Sequence, residues 1–334
     1  MSALAGSQHP ASGAPVSRNG IVAVARGAAQ TPGVRLAVVW LGVIAALAAQ
    51  LPYFLTPVNA ITILNFSAVS FIAAVGFTFV LVGGGVDLAV GSAVMMSGVV
   101  AGMGFLAGIP LVPAFVIGFL MGPLIGLVSG LLITRVRINP LIATLAMLFV
   151  LRGIGYLVAG STIHQVRDEG FRFARVYVLG VPMSVLILAA VFLISLVIAR
   201  WTKMGRHFEA VGGNPEAARQ AAMNVERYRL LLYVVAGAYS GLAGILLASI
   251  IGGADPTSDS GRTFGVATAV FLGGASLSGG KGSIVGTLIG VLFVTTLANG
   301  MTQLKLGPEI VLIAQGILLI GAVAIDQRPK GGYR

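Results

Sequence analysis

The sequence predicts an all-α, polytopic membrane protein of about ten transmembrane helices, some broken or short, arranged as two structurally related halves. Composition is the first reason: 57% of the 334 residues are hydrophobic, only 9% are charged, and the mean hydropathy is +0.98. Soluble domains carry about 25% charged residues. The second reason is periodic: apolar runs of roughly 20 residues, the length a helix needs to cross about 30 Å of hydrocarbon, recur along the chain. The third is that the 47 glycines fall in groups inside those runs, a pattern of helix breaks and close helix packing in lipid.

Residues 1–33 are rich in Gly, Ala, Ser and Pro, carry basic but no acidic side chains, and have no apolar run that could pack; they are expected to form a disordered tail. The first apolar run begins near residue 34 and is long enough to remain as a span, which argues against a cleaved signal peptide. Spans are expected at about 34–54, 60–82, 87–107, 110–134, 139–160, 178–199, 230–252, 264–275, 283–302 and 309–326, the one near 264–275 being the shortest. The membrane-spanning body therefore covers 34–326, with a polar segment at about 200–229 and a second tail at 327–334.

Charge orients these spans. With the N-terminus in the cytoplasm, fifteen of the 21 Lys and Arg residues fall inside, Arg152 lies within a span, and only Arg167, Arg172, Arg175, Arg262 and Lys305 fall outside. That positive-inside bias predicts two cytoplasmic termini and an even number of crossings. It also accounts for the net charge of +11 without invoking nucleic acid. Cysteine is absent, which excludes disulfides, thiolate catalysis and Cys-based zinc sites. His9, His164 and His207 are the only histidines, and none stands near a second ligand type at metal spacing. No Ser/His/Asp or paired-carboxylate arrangement suggests a membrane-embedded enzyme, and a proton- or sodium-driven transporter would need more intramembrane carboxylates than Asp87 alone.

The sharpest helix break is Gly83-Gly84-Gly85-Val86-Asp87-Leu88-Ala89-Val90-Gly91-Ser92. Asp87 can cap the helix that follows, or belong to a polar gate on a solute path. A related pattern stands at Gly273–Ser283, and matching Gly84, Gly85, Leu88 and Gly91 to Gly273, Gly274, Leu277 and Gly280 implies an internal repeat. Gly280-Lys281 does not make a phosphate-binding loop, because Ala275 and Gly282 occupy the positions that need Gly and Ser or Thr.

The polar segment runs for about 29 residues, where a plain connector needs only a few. Gly212-Gly213 is read as a break, Asn214 as an N-cap, Pro215 as the first helical residue, and Glu216 as an acid favoured by the helix dipole. The helix expected over about 215–223 is marginal alone in water. It needs packing from the membrane domain or from a partner.

Four ordered motifs carry a family resemblance: Gly-Gly-x-Asp-Leu-x-Val-Gly-Ser around Asp87, Ile138-Asn139-Pro140-Leu141-Ile142-Ala143-Thr144-Leu145, Gly205-Arg206 with Ala210-Val211-Gly212-Gly213-Asn214 and Glu216-Ala217-Ala218-Arg219, and Leu272–Ser283. Over about 36–326 the chain resembles the ribose/xylose/arabinose-type permease subunits of bacterial ABC sugar importers. The resemblance implies alternating access in the inner membrane beside a second permease subunit, identical or not. It also implies two cytoplasmic ATPases that hold ATP and Mg, leaving no cofactor on this chain, and an extracytoplasmic sugar-binding protein. It implies that Gly212, Gly213, Asn214, Pro215, Glu216, Ala217, Ala218 and Arg219 form the helix that docks on the ATPase. Candidates for the translocation path or gate are Asp87, Ser92, Asn65, Asn139, Thr144 and Asn299. Branched-chain amino acid permeases share the coupling segment and are the alternative. The chain departs from the family pattern at Ala222, where a glycine is usual, and at Asp255-Pro256-Thr257, Gly261 and Arg262-Thr263-Phe264-Gly265, where Gln-Pro-Thr, a glycine and Tyr-Glu-Leu-Asp are typical.

Overall fold

The computed structural model describes residues 32–259 and 261–326; the predicted tails, apart from residues 32 and 33, lie outside the described residues. Among these residues the chain is almost entirely helical: α1 (Pro32–Gln50), α2 (Pro57–Val82), α3 (Val90–Leu106), α4 (Leu111–Thr134), α5 (Pro140–Ala159), α6 (Met183–Trp201), α7 (Lys203–Gly213), α8 (Pro215–Gln220), α9 (Val225–Ile251), α10 (Arg262–Leu272), α11 (Ile284–Gln303) and α12 (Pro308–Asp326). Seven of them, α1, α2, α4, α5, α6, α9 and α11, are long and apolar enough to cross a membrane, while α3, α10 and α12 are apolar but shorter. Apolar helices thus stand where the sequence places its ten spans, and length alone supports seven crossings.

The buried centre is α9, packed against α4, α2 and α3. Glycine makes these crossings possible. A Cβ at Gly122 would lie 2.1 Å from the Gly237 carbonyl, one at Gly126 2.1 Å from the Tyr233 carbonyl, and one at Gly98 2.9 Å from the Gly244 carbonyl. Without hydrophobic drive between helices in lipid, such backbone contact supplies the dispersion and weak polar attraction that hold them together. α2 contributes three of the largest fully buried side chains, Phe71, Phe77 and Ile72. The outward faces of α4, α5 and α6 are leucine, isoleucine and valine, as a hydrocarbon-facing surface requires.

Two details depart from the sequence expectation. The span expected from 178 begins at Met183, because Leu179 and Gly180, at φ 52° and 78°, turn a hairpin between β2 (Tyr177–Val178) and β3 (Val181–Pro182). β1 (His164–Gln165) pairs with β4 (Gly253–Ala254), closing the same end of the molecule, where Phe171 packs against Phe105 and Phe115. The second departure explains why α10 is short. The chain after β4 descends beside α3, from Gly102 against Ala254 to Gly91 against Thr263. The eleven steps along α3 from Gly102 to Gly91 correspond to about 16 Å of helix, so α10 starts part-way through the bundle.

Candidate functional site

The polar segment folds as two helices rather than one. α7 runs through Gly212-Gly213 and stops only at Asn214, because Gly212 has no side chain to hinder its packing and the apolar face of α7 has somewhere to go. Phe208 and Val211 are buried, Phe208 lying edge-on to Phe79 with ring centroids 6.0 Å apart. At Asn214 the chain reverses into α8: its side-chain oxygen accepts from the amides of Glu216 (3.1 Å) and Ala217 (3.0 Å), and Pro215 occupies the first turn. α8 ends at Gln220, short of the expected 223, because Ala222 turns the chain at φ 59°. Ala218 packs with Val211 and Val225. Arg219 bridges Glu216 (3.2 Å) and Glu226 (3.4 Å) on the surface, while Glu216, Ala217 and Gln220 are exposed. Asn224 caps α9 through the Arg227 amide, so the charges of Glu226, Arg227 and Arg229 belong to the first turns of a span.

Gly212 is the point at which this segment meets the membrane bundle. A Cβ there would lie 1.8 Å from the Val82 carbonyl and 2.8 Å from the Gly84 amide nitrogen. The second glycine-rich break arrives at the same place: the Gly280 amide donates to the Val82 carbonyl at 2.8 Å, and a Cβ on Gly279 would lie 2.5 Å from the Gly212 carbonyl. Both breaks therefore touch the last turn of α7. Their local geometry is alike. Gly83, Gly84 and Gly85 donate to the carbonyls of Phe79, Leu81 and Val80, and Gly273, Gly274 and Ala275 donate to those of Ala269, Phe271 and Val270. Gly84 and Gly274 both have positive φ, 77° and 92°. The hydrogen bonds thus equate Gly84 with Gly274, one residue from the match that the sequence offers.

The polar residues singled out along the spans are distributed through the bundle. The Asp87 carboxylate, buried, accepts from the Ala89 amide at 3.0 Å at the entry to α3. Asn139 caps α5 through the Leu141 amide (2.9 Å). Thr144 donates to the Pro140 carbonyl and accepts from the Leu88 amide (3.1 Å), tying α5 to the first break. Asn65 accepts from Ser184 of α6. Ser92 donates to Asp259 at 2.9 Å, and Arg152 bonds the same carboxylate oxygen at 2.9 Å. This Ser92–Asp259–Arg152 cluster joins α3, α5 and the descending segment, and sequence reasoning did not pair its members. The lone arginine within an apolar span was the available signal, since such a charge needs a partner.

Asn299 is placed differently. It lines a cavity of about 650 Å³ between α2, α10, α11 and α12, together with Arg262, Gly265, Thr295 and Gln315. Arg262, expected on an outer loop, forms part of this cavity wall. Its Nε donates to the Ser258 carbonyl at 2.9 Å.

A family profile described as "Branched-chain amino acid transport system / permease component" matches residues 59–323. The chain belongs to this permease family. It is 38% identical over 281 residues to the ribose import permease protein of Bacillus subtilis, covering 83% of this chain and 87% of that protein. It is 36% identical over 300 residues to the L-arabinose ABC transporter permease protein of Azospirillum brasilense, covering 90% and 88%. To the D-allose transport system permease protein of Escherichia coli it is 32% identical over 278 residues, covering 82% and 85%. No solved structure matches. Membership makes the chain a multi-pass membrane transport subunit and not an enzyme.

Proposed function

We propose that this chain is the permease subunit of an ABC importer that carries a monosaccharide or related polyol into the cytoplasm by alternating access. The relatives named above are ribose, arabinose and allose permeases, and that likeness supports the substrate class over the amino acids of the family description. On this reading the chain crosses the inner membrane about ten times, with α3, α10 and α12 completing the set and both termini in the cytoplasm. It works beside a second permease subunit, receives sugar from an extracytoplasmic binding protein, and rests on two ATPase domains that hold ATP and Mg.

One observation carries the mechanism. The exposed face of α7 and α8 is fastened through Gly212 to both glycine-rich breaks. A push on the outer surface of α8 therefore reaches the end of α2 and the turn that leads into α11 without an intervening flexible side chain. Closure of the ATPases would move α7 and α8, and the breaks would let α3 and α11 reorient while neighbouring helices satisfy their freed backbone groups. Asp87, Thr144 and Ser92 hold the moving ends in register, whereas Asn299 faces solute.

The test is co-reconstitution of the chain with an ABC ATPase and a sugar-binding protein from the same cell. ATP hydrolysis stimulated by ribose, arabinose or allose supports the reading; stimulation by leucine, isoleucine or valine alone overturns it in favour of the amino-acid class.

A further inference from the structure

The cavity between α2, α10, α11 and α12 carries charge of one sign. At about 650 Å³ it falls within the range of roughly 300–1,000 Å³ typical of small-molecule sites. Arg262 is the charged residue of its wall, and no carboxylate lines it. Two acids lie within electrostatic reach of Arg262, Asp255 and Asp259, but both stand outside the lining and accept their hydrogen bonds from other groups. Asp255 accepts from the amide and hydroxyl of Thr257 (2.9 and 2.7 Å), and Asp259 is held by Arg152 and Ser92. Among the described residues the guanidinium makes one hydrogen bond, from Nε to the Ser258 carbonyl, which leaves its terminal nitrogens as donors.

Opposite this group the cavity holds unused hydrogen-bonding capacity. The side-chain oxygen of Gln315 is buried with no partner. Asn299 gives its carbonyl to Gln303 (3.1 Å) and keeps its amide donors. Gly265 packs beside the Gln315 amide with room for a methyl group: a Cβ there would meet nothing nearer than Gln315 Nε2 at 3.5 Å. An orphaned acceptor buried in a protein is destabilising, and a hydroxyl-bearing solute would relieve it.

We propose that this cavity is a solute site within the permease that favours a monosaccharide bearing a carboxylate, an aldonate or uronate, over a neutral sugar, with Arg262 as the residue that sets the preference. This rests on the reading that the chain passes monosaccharides. A guanidinium pairs with a carboxylate through two parallel hydrogen bonds, each roughly twice as strong as a neutral one. Gln315 and Asn299 then meet the sugar hydroxyls. A single arginine matches one negative charge, which favours a carboxylate over a dianionic phosphate.

The experiment is thermal-shift titration of the purified full-length chain with D-galacturonate, D-galactose and ribose 5-phosphate. Two variants are used, Arg262→Gln and Gly265→Asp. The second keeps Arg262, adds a Cβ that meets its neighbours at ordinary contact distance, and places an acid in the first turn of α10, where the dipole tolerates it; it keeps the test decisive if Arg262→Gln does not fold. The expected result is that galacturonate stabilises the wild-type chain at concentrations at least about tenfold below galactose, since 1.4 kcal/mol is tenfold. Either variant should erase that margin. Equal responses to the two sugars, no response to either, a margin that survives in both variants, or a stronger response to ribose 5-phosphate overturns the proposal. The reading of the chain as an ATPase-coupled permease is judged separately, by co-purification of its ATPase, and can stand while this fails.

Discussion

Adjacent glycines in the polar segment should respond to the same substitution with opposite sign. In Gly212→Ala the new methyl would lie 1.8 Å from the Val82 carbonyl oxygen, against backbone on every side. Ordinary contact begins at 3.4 Å, so α7 must retreat by roughly 1.6 Å. That retreat would part the α7 end from both breaks at once, because Gly279 and Gly84 pack on the same residue. Overpacking of this kind costs about 1–3 kcal/mol. In Gly213→Ala the methyl meets only the Cα of Gly280, at 3.8 Å, and exchanging glycine for alanine in a helix gains about 0.5–1 kcal/mol. The two variants should therefore differ by about 1.5–4 kcal/mol. Thermal unfolding of each in detergent checks the stability, and sugar-stimulated ATP hydrolysis of the reconstituted importer checks the coupling. Gly212→Ala should lower both, and Gly213→Ala should lower neither. Indistinguishable variants would refute the reasoning that Gly212 is the joint.

Exchanging the surface charges, Glu216→Arg with Arg219→Glu, should leave membrane insertion intact and weaken co-purification of the ATPase and stimulated hydrolysis; normal hydrolysis would sink the docking role of α8. Ala222→Gly should stabilise the chain by up to about 1.6 kcal/mol, as relief of a left-handed alanine (about 1–2 kcal/mol) exceeds the added freedom of the unfolded chain (about 0.4–1 kcal/mol); thermal unfolding reads it. Arg152→Leu strands the Asp259 carboxylate, whose side chain is 2% exposed. Removing one partner of a fully buried pair costs about 3–5 kcal/mol, and because Arg152 is 36% exposed the loss should fall nearer 2 kcal/mol. The double variant Arg152→Leu with Asp259→Leu should recover most of the melting temperature.

Much of the architecture was legible because hydropathy and bilayer thickness act on each helix by itself. The ten apolar runs reappear as apolar helices in the expected order, and Asn214-Pro215-Glu216 announced the start of α8 by capping chemistry alone. What escaped was whatever depends on a neighbour distant in sequence. Gly212-Gly213 reads as a break until Val82 and Phe79 are known to lie beneath it, and then an uninterrupted α7 is the only way for Phe208 to be buried while Gly212 reaches the backbone. Asp259 looks like a loop acid until the descending segment brings it to Arg152. Arg262 looks like an outer-surface charge for the same reason, since nothing local in Asp255–Gly261 states how far the chain travels beside α3. The repeat was visible in its glycines, yet its register was off by one, because Leu88 and Leu277 suggested a match that the hydrogen bonds at Gly84 and Gly274 do not follow.

The central claim is that the face of α8 is the contact through which a partner ATPase drives this chain. The sequence has no cysteine, so Ala217→Cys, at an exposed position, gives a single site for a thiol-linked photo-crosslinker in membranes of the native host. The account predicts one dominant crosslinked partner carrying Walker motifs, formed only when the reagent has access to the cytoplasmic side. Labelling of that cysteine on intact cells by a membrane-impermeant maleimide, or crosslinking to no ATP-binding protein, would contradict it.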